Sequence, residues 1–145
     1  MARNEYREKV VETLGEKKER AIKEKVDAER IKKDPVSKKE VIITDKGTTL
    51  CYDHVFGRYF KSDIDLINRA MTKINREIVI NMYASLNDFY AELGLSPIKM
   101  GYELGWNIDD GTIEIEPSSQ LADDGTPCLV IDYNVQPKYN YSRFI

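Results

Sequence analysis

The first forty residues carry thirteen Lys/Arg and ten Asp/Glu, and this ionic run constrains the fold more than any other feature. Within it apolar residues recur at Tyr6, Val10 and Leu14, then at Ile22, Val26 and, less regularly, Ile31. The spacing is helical and makes one narrow apolar stripe on an otherwise charged rod. Pairs four apart are mixed: Glu5–Lys9 and Glu16–Arg20 attract, whereas Glu8–Glu12 repels. Gly15 weakens the helix by about 1 kcal/mol relative to alanine. Asp34-Pro35 ends it, because the residue before a proline is pushed out of the α region. So thin a stripe cannot hold a lone helix firmly onto a core. Two readings stay open: a solvated helix laid against its own domain, or an arm for docking and self-association through Tyr6, Val10 and Leu14. Residues 1–35 are read as this charged helical arm and residues 36–145 as a compact domain.

From Val41 the texture changes. Val41-Ile42-Ile43-Thr44, a turn at Asp45-Lys46-Gly47, and Thr48 to Tyr52 read as a β-hairpin. Asp53 to Phe60 reads as a second turn with a returning strand. Ser62 or Asp63 then caps a helix with a clean face of Ile64, Ile67, Ala70, Met71, Ile74, Ile78 and Met82. The run Ile78 to Ile80 broadens that apolar surface and suggests a helix central to the core. Ser85 with Asp88 makes a capping box for a short helix through Leu93, which Gly94 terminates and Pro97 prevents from resuming. The remainder is rich in strands and turns. A strand leads through Trp106 to Asn107, and Asp109-Asp110-Gly111 is a turn before the alternating Thr112 to Glu116. Asp123-Asp124-Gly125 is another turn before Pro127 to Tyr133. The fold class is therefore α+β: a charged N-terminal helix, a hairpin, a central and a short helix, and a C-terminal antiparallel β-meander.

Several functional classes find no support. The net charge is −3 and acidic residues interleave with the basic ones in the first forty, so a nucleic-acid partner is not expected. No stretch approaches the apolar length of a membrane span. GxxxxGK[ST], GxGxxG, GxSxG and HExxH are all missing. Cys51 and Cys128 have no CxxC partner and read as reduced, half-buried thiols, with a disulfide the alternative if two strands bring them together. His54, the single histidine, follows Asp53 in a turn, where a structural role is favoured over catalysis.

The carboxylates of the two Asp-Asp-Gly turns, Asp109, Asp110, Asp123 and Asp124, are the candidate metal ligands, since four converging oxygens would suit a divalent cation. Turn chemistry accounts for the same residues, because aspartate before glycine is what a tight turn requires. Glu114 and Glu116 alternate with Ile113 and Ile115, so they line the wet face of a half-buried strand and could meet a basic partner. Trp106 is either a recognition hot spot or a core anchor.

Four stretches, YREKVVETLGEKKE at Tyr6–Glu19, CYDHVFGRYFKSD at Cys51–Asp63, YASLNDFYAELGLSPIKMGYELGWNIDDGTIEI at Tyr83–Ile115 and PCLVIDY at Pro127–Tyr133, cover most of the chain. Together they resemble an uncharacterised family encoded by tailed phages and prophages of Firmicutes. The resemblance implies expression in a host bacterial cytoplasm and no assigned activity. Many members of that family carry apolar, membrane-like segments ahead of the charged helix, and none is read here. This chain is then a short member or the soluble part of a longer, membrane-tethered or virion-associated product. The expectation is a non-enzymatic interaction protein with a phage or host protein partner. The alternative is a small metal-assisted enzyme or ligand-sequestering anti-defence protein built on the Asp-Asp-Gly carboxylates.

Overall fold

A computed structural model describes residues 2–44 and 46–143, with side chains in the first helix described from Gly15 onward. The fold is α+β. Helix α1 runs Ala2–Lys33. Strands β1 (Val41–Ile42), β2 (Thr49–Asp53) and β3 (Arg58–Ser62) follow. Helix α2 spans Ile64–Asn81, strand β4 Tyr83–Ser85 and helix α3 Leu86–Glu92. The chain ends with β5 (Leu104–Asn107), β6 (Ser118–Leu121), β7 (Pro127–Ile131) and β8 (Lys138–Tyr139).

Five strands form a mixed sheet in the order β1-β3-β2-β7-β6, and three form a small sheet in the order β4-β5-β8. Two expected pairings are replaced. The predicted hairpin from Val41 to Tyr52 does not form: β1 lies parallel to β3, with Val41 opposite Tyr59, instead of antiparallel to β2. Gly47 explains the detour, because its backbone presses on β3. A Cβ there would sit 2.4 Å from the Ser62 carbonyl carbon. Thr44 adds a hydroxyl hydrogen bond to the Lys61 carbonyl; Asp45 lies outside the described residues. The hairpin that does form joins β2 to β3 through Asp53–Gly57, and Gly57 takes φ +65°, which glycine adopts without steric cost.

The C-terminal strands are likewise shared between two sheets, not one meander. β5 pairs antiparallel with β4 and β8. β7 enters the large sheet parallel to β2 and antiparallel to β6. Both faces of β7 are buried at its end, where Val130 and Ile131 have no exposure, as suits an interior strand rather than a meander edge. Residues Thr112–Glu116 keep the predicted alternation, yet they make a single bridge, Ile115 to Tyr133.

The period of two in β2, β3 and β7 divides the large sheet between two layers. Cys51, Phe60 and Ile131 face one cluster, where Ile67, Ala70, Ile74 and Ile78 of α2 pack with Leu86, Phe89, Tyr90, Trp106 and Tyr133. Leu50, Tyr52, Tyr59, Cys128 and Val130 face the other, closed by Ile31 and Val36 at the end of α1. The sheet thus sits between α2 and the C-terminal part of α1. Local signals position α2 and α3: the Asp63 carboxylate accepts from the Leu66 amide at 3.0 Å, and Ser85 with Asp88 forms the full capping box.

Burial pushes the phenols of Tyr52, Tyr59, Tyr90, Tyr133 and Tyr141 upward, and pushes the thiols of Cys51 and Cys128 up to about 12. In the unfolded chain these groups ionise at their ordinary values, 9.0 for the thiols and 10.0 for the phenols. Their raised folded pKa contributes stability that is fully present below pH 9 and is lost as pH climbs towards 12. The urea midpoint is therefore expected to fall steeply between about pH 9 and 11, and a flat midpoint across that window would contradict the burial of these groups.

Candidate functional site

The four Asp-Asp-Gly carboxylates do not assemble. Asp110 caps its own turn, accepting the Asn107 amide at 3.1 Å, and pairs with Lys138 at 2.8 Å. Asp109 is exposed at the same turn, which is one turn of 3-10 helix, Ile108–Asp110. Asp123 accepts the Ser37 amide at 3.2 Å and its hydroxyl, which ties the β6–β7 turn to the segment after α1. Asp124 accepts the Thr126 amide at 3.0 Å, and that bond lowers its pKa. Among the described residues no three His, Cys, Asp or Glu side chains are grouped to hold an ion. Asp110 and Asp124 serve their own turns, Asp123 holds Ser37 and Asp109 is exposed, so the four candidate ligands stand apart.

Trp106 is also corrected as a contact residue. It has no exposure, donates its Nε1–H to the Val135 carbonyl at 2.7 Å, and meets Phe89 and Tyr133 edge-on or tilted. The aromatic surface is supplied instead by Tyr83, Tyr102 and Tyr139, each more than 40% exposed. The side chains of Tyr6, Val10 and Leu14 lie outside the described residues. Glu114 is exposed, as expected of a wet face.

Glu116 also points outward, but it meets Lys23 of α1 at 3.5 Å, and this contact belongs to a larger lock that the sequence did not reveal. Asp27 of α1 has no exposure. It accepts from Arg30 at 3.0 Å and from the Ser118 hydroxyl at 2.7 Å. Asp132 stands opposite, 3.6 Å from Arg30 and 3.9 Å from Lys23. At the helix end the Tyr52 hydroxyl donates to the Asp34 carboxylate at 2.6 Å, and the Tyr59 hydroxyl to the Asp34 carbonyl at 2.8 Å. The arm and the domain read from the sequence therefore overlap. From Lys23 onward α1 is bolted to the sheet by polar contacts, whereas Gly15–Ile22 is exposed throughout. Asp27→Ala orphans the Ser118 hydroxyl and leaves Arg30 with Asp132 as its one remaining acidic partner. It should destabilise by about 1–3 kcal/mol, with amide exchange rising first in residues 23–33. Unchanged exchange there would show that the lock does not hold the helix.

The reactive groups are occupied structurally. His54 places Nδ1 3.2 Å from the Ile131 carbonyl and Nε2 3.3 Å from the Gln136 amide oxygen. Cys51 and Cys128 are free and buried, and their raised pKa keeps the thiols protonated and poorly nucleophilic. The fully buried Asp53 accepts the hydroxyls of Tyr90 and Tyr133, and Arg58 lies 4.4 Å over the Tyr90 ring. Closed off from water, this cluster cross-braces β2, α3 and the segment after β7.

An apolar run also stays uncovered. Val79 and Ile80 are 68% and 66% exposed, followed by Met82 and Tyr83 at 45% and 41%. The Ile108 amide donates to the Met82 carbonyl at 2.9 Å, which brings Ile108, itself exposed, beside this run. Ile78 to Ile80 does broaden the apolar surface of α2, but only Ile78 lies on its buried arc, and Ile64 and Met82 of the predicted face are exposed. Val79 and Ile80 fall off the 67-70-74-78 face, and that offset was the available signal.

A family model matches residues 1–142, nearly the entire chain. The chain belongs to a family of unknown function (DUF6353). No curated protein and no solved structure matches it. In this DUF6353 chain the uncovered apolar residues and the exposed stretch of α1 are the surfaces not consumed by folding. No described helix is long and apolar enough to cross a membrane.

Proposed function

We propose that this protein is a non-enzymatic interaction protein, working in a host bacterial cytoplasm and binding a phage or host protein. The carrying observation is the apolar run Val79, Ile80, Met82 and Tyr83 with Ile108, left bare although the chain has a well-filled core. Contiguous exposed apolar patches of this kind mark interaction sites far more often than isolated surface leucines do. The charged helix α1 supports the same reading, because Gly15–Ile22 is exposed helix that closes no core. The metal-assisted alternative loses its ligand set once the Asp-Asp-Gly carboxylates are spread over separate turns.

The test is capture of protein partners on the immobilised full chain from lysates of host cells with and without phage induction. The full chain should retain a stoichiometric partner, or itself, and Val79→Glu with Ile80→Glu should lose it while keeping the wild-type thermal transition. Retention of nothing by the full chain, with no self-association, would overturn the proposal.

A further inference from the structure

We propose that the outward face of α2 seats helix α1 of a second copy of this chain; this deepens the interaction reading above and rests on it. The buried arc of α2 is Ile67, Ala70, Ile74 and Ile78. On the other side, Arg69, Lys73, Arg76 and Ile80 follow one another at helical spacing, and all four are exposed. Residues three and four apart share a face, so α2 presents a cationic row that ends in the apolar pair Val79 and Ile80. Among the described residues only Lys73 of this row makes an ion pair, with Glu92 at 3.1 Å. An open groove of about 910 Å³ runs beside the row, lined by Lys46, Arg69 and Lys73 together with Asp65 and Glu92.

An occupant of that face must bring carboxylates at the same pitch. The sequence of α1 has Glu5, Glu8, Glu12, Glu16 and Glu19, each three or four residues after the last, and the helix backbone is regular across all five. Glu16 and Glu19 are exposed. They share a groove of about 610 Å³ with Glu114 and Glu116, against only Arg20 and Lys23. Incoming cations would relieve that excess of negative charge. Within one copy Glu16 and Glu19 line a different groove from Arg69 and Lys73: the C-terminal part of α1 closes the sheet face bearing Leu50 and Tyr52, and α2 covers the face bearing Cys51 and Phe60. Pairing of the rows is therefore intermolecular. If each copy offers both rows, the contact closes as a two-fold dimer with two helix pairs.

Light scattering behind size exclusion on the full chain tests this with two charge-reversed variants. Glu16, Arg69 and Arg76 are exposed, and a thermal melt confirms that the variants fold. The wild type should form a species of twice 16.8 kDa, and its apparent Kd should weaken about tenfold or more as salt rises through the range that screens surface charge. Glu12→Lys with Glu16→Lys opposes cation to cation, and Arg69→Glu with Arg76→Glu opposes anion to anion. Each variant alone should be monomeric, and an equimolar mixture should dimerise again, because both helix pairs become complementary. A wild type that is monomeric at every concentration overturns the self-docking, while lysate capture still judges the broader interaction reading. A dimer indifferent to the α2 reversal, or a mixture that stays monomeric, also overturns it.

Discussion

Asp53→Ala is expected to lower the urea midpoint more than any other polar substitution in the chain. The carboxylate has no exposure and receives two phenol hydroxyls, from Tyr90 and from Tyr133 at 3.2 Å. Truncation leaves both hydroxyls buried without an acceptor, each at about 1–3 kcal/mol. Arg58 stands opposite Asp53 in the β2–β3 ladder without an ion pair to it, its Nη1 donating to the Ser96 carbonyl at 3.0 Å. The total is a large share of the about 5–15 kcal/mol that holds a typical domain together.

The same chemistry orders the related variants. Tyr90→Phe or Tyr133→Phe removes one donor and leaves Asp53 with the other, so each should cost about 1 kcal/mol. Combining Asp53→Ala with both phenylalanines should recover part of the loss, since no unsatisfied hydroxyl then remains. Equilibrium urea unfolding of the series decides the point. A fully additive triple variant, losing as much as the sum of its parts, would mean that the three residues do not act as one network.

How much of this was legible in the sequence followed the range of the signal. Helices α2 and α3 were readable because their determinants are local: a periodic apolar face, the Asp63 cap and the Ser85–Asp88 box all lie within a few residues of what they fix. Strands β1, β2, β3, β5 and β7 were readable for the same reason, but β4, β6 and β8 were not, and neither was strand partnership. The choice of β3 over β2 as the neighbour of β1 depends on where Gly47 meets Ser62, fifteen positions away, and the insertion of β7 beside β2 on a pairing across the whole domain. The polar locks were hidden differently. Asp27 is one carboxylate in a run where more than half the side chains are charged, and nothing in that run marks the one that becomes buried. Asp53 next to His54 drew attention to the histidine, although the aspartate carries the network. The Asp-Asp-Gly turns misled in the opposite sense, because a residue ideal for a tight turn is also ideal for a cation, and only placement separates the two. Ile80 shows the finest case: its neighbour Ile78 is buried, and a shift of two positions turns the side chain to the outside.

Trp106→Ala should be the most damaging apolar truncation. The indole is fully buried where the small sheet meets α3, against Phe89 and Tyr133, and its Nε1–H is held by Val135. Removing a buried tryptophan to alanine costs about 3–5 kcal/mol through lost transfer free energy and the cavity left behind, so the variant should be largely unfolded at moderate temperature. Trp106→Phe retains a ring in the cluster but leaves the Val135 carbonyl unpaired, and should lose about 1–3 kcal/mol. Because this is the single tryptophan of the chain, its emission in the wild type reports the same site. It should be blue-shifted when folded and move red in one step with the loss of helical circular dichroism. An emission transition that precedes the circular-dichroism transition would show that the β4–β5–β8 sheet melts separately from the large sheet. The exposed apolar run beside β4, at Val79–Tyr83, would then be the first part of the molecule to yield.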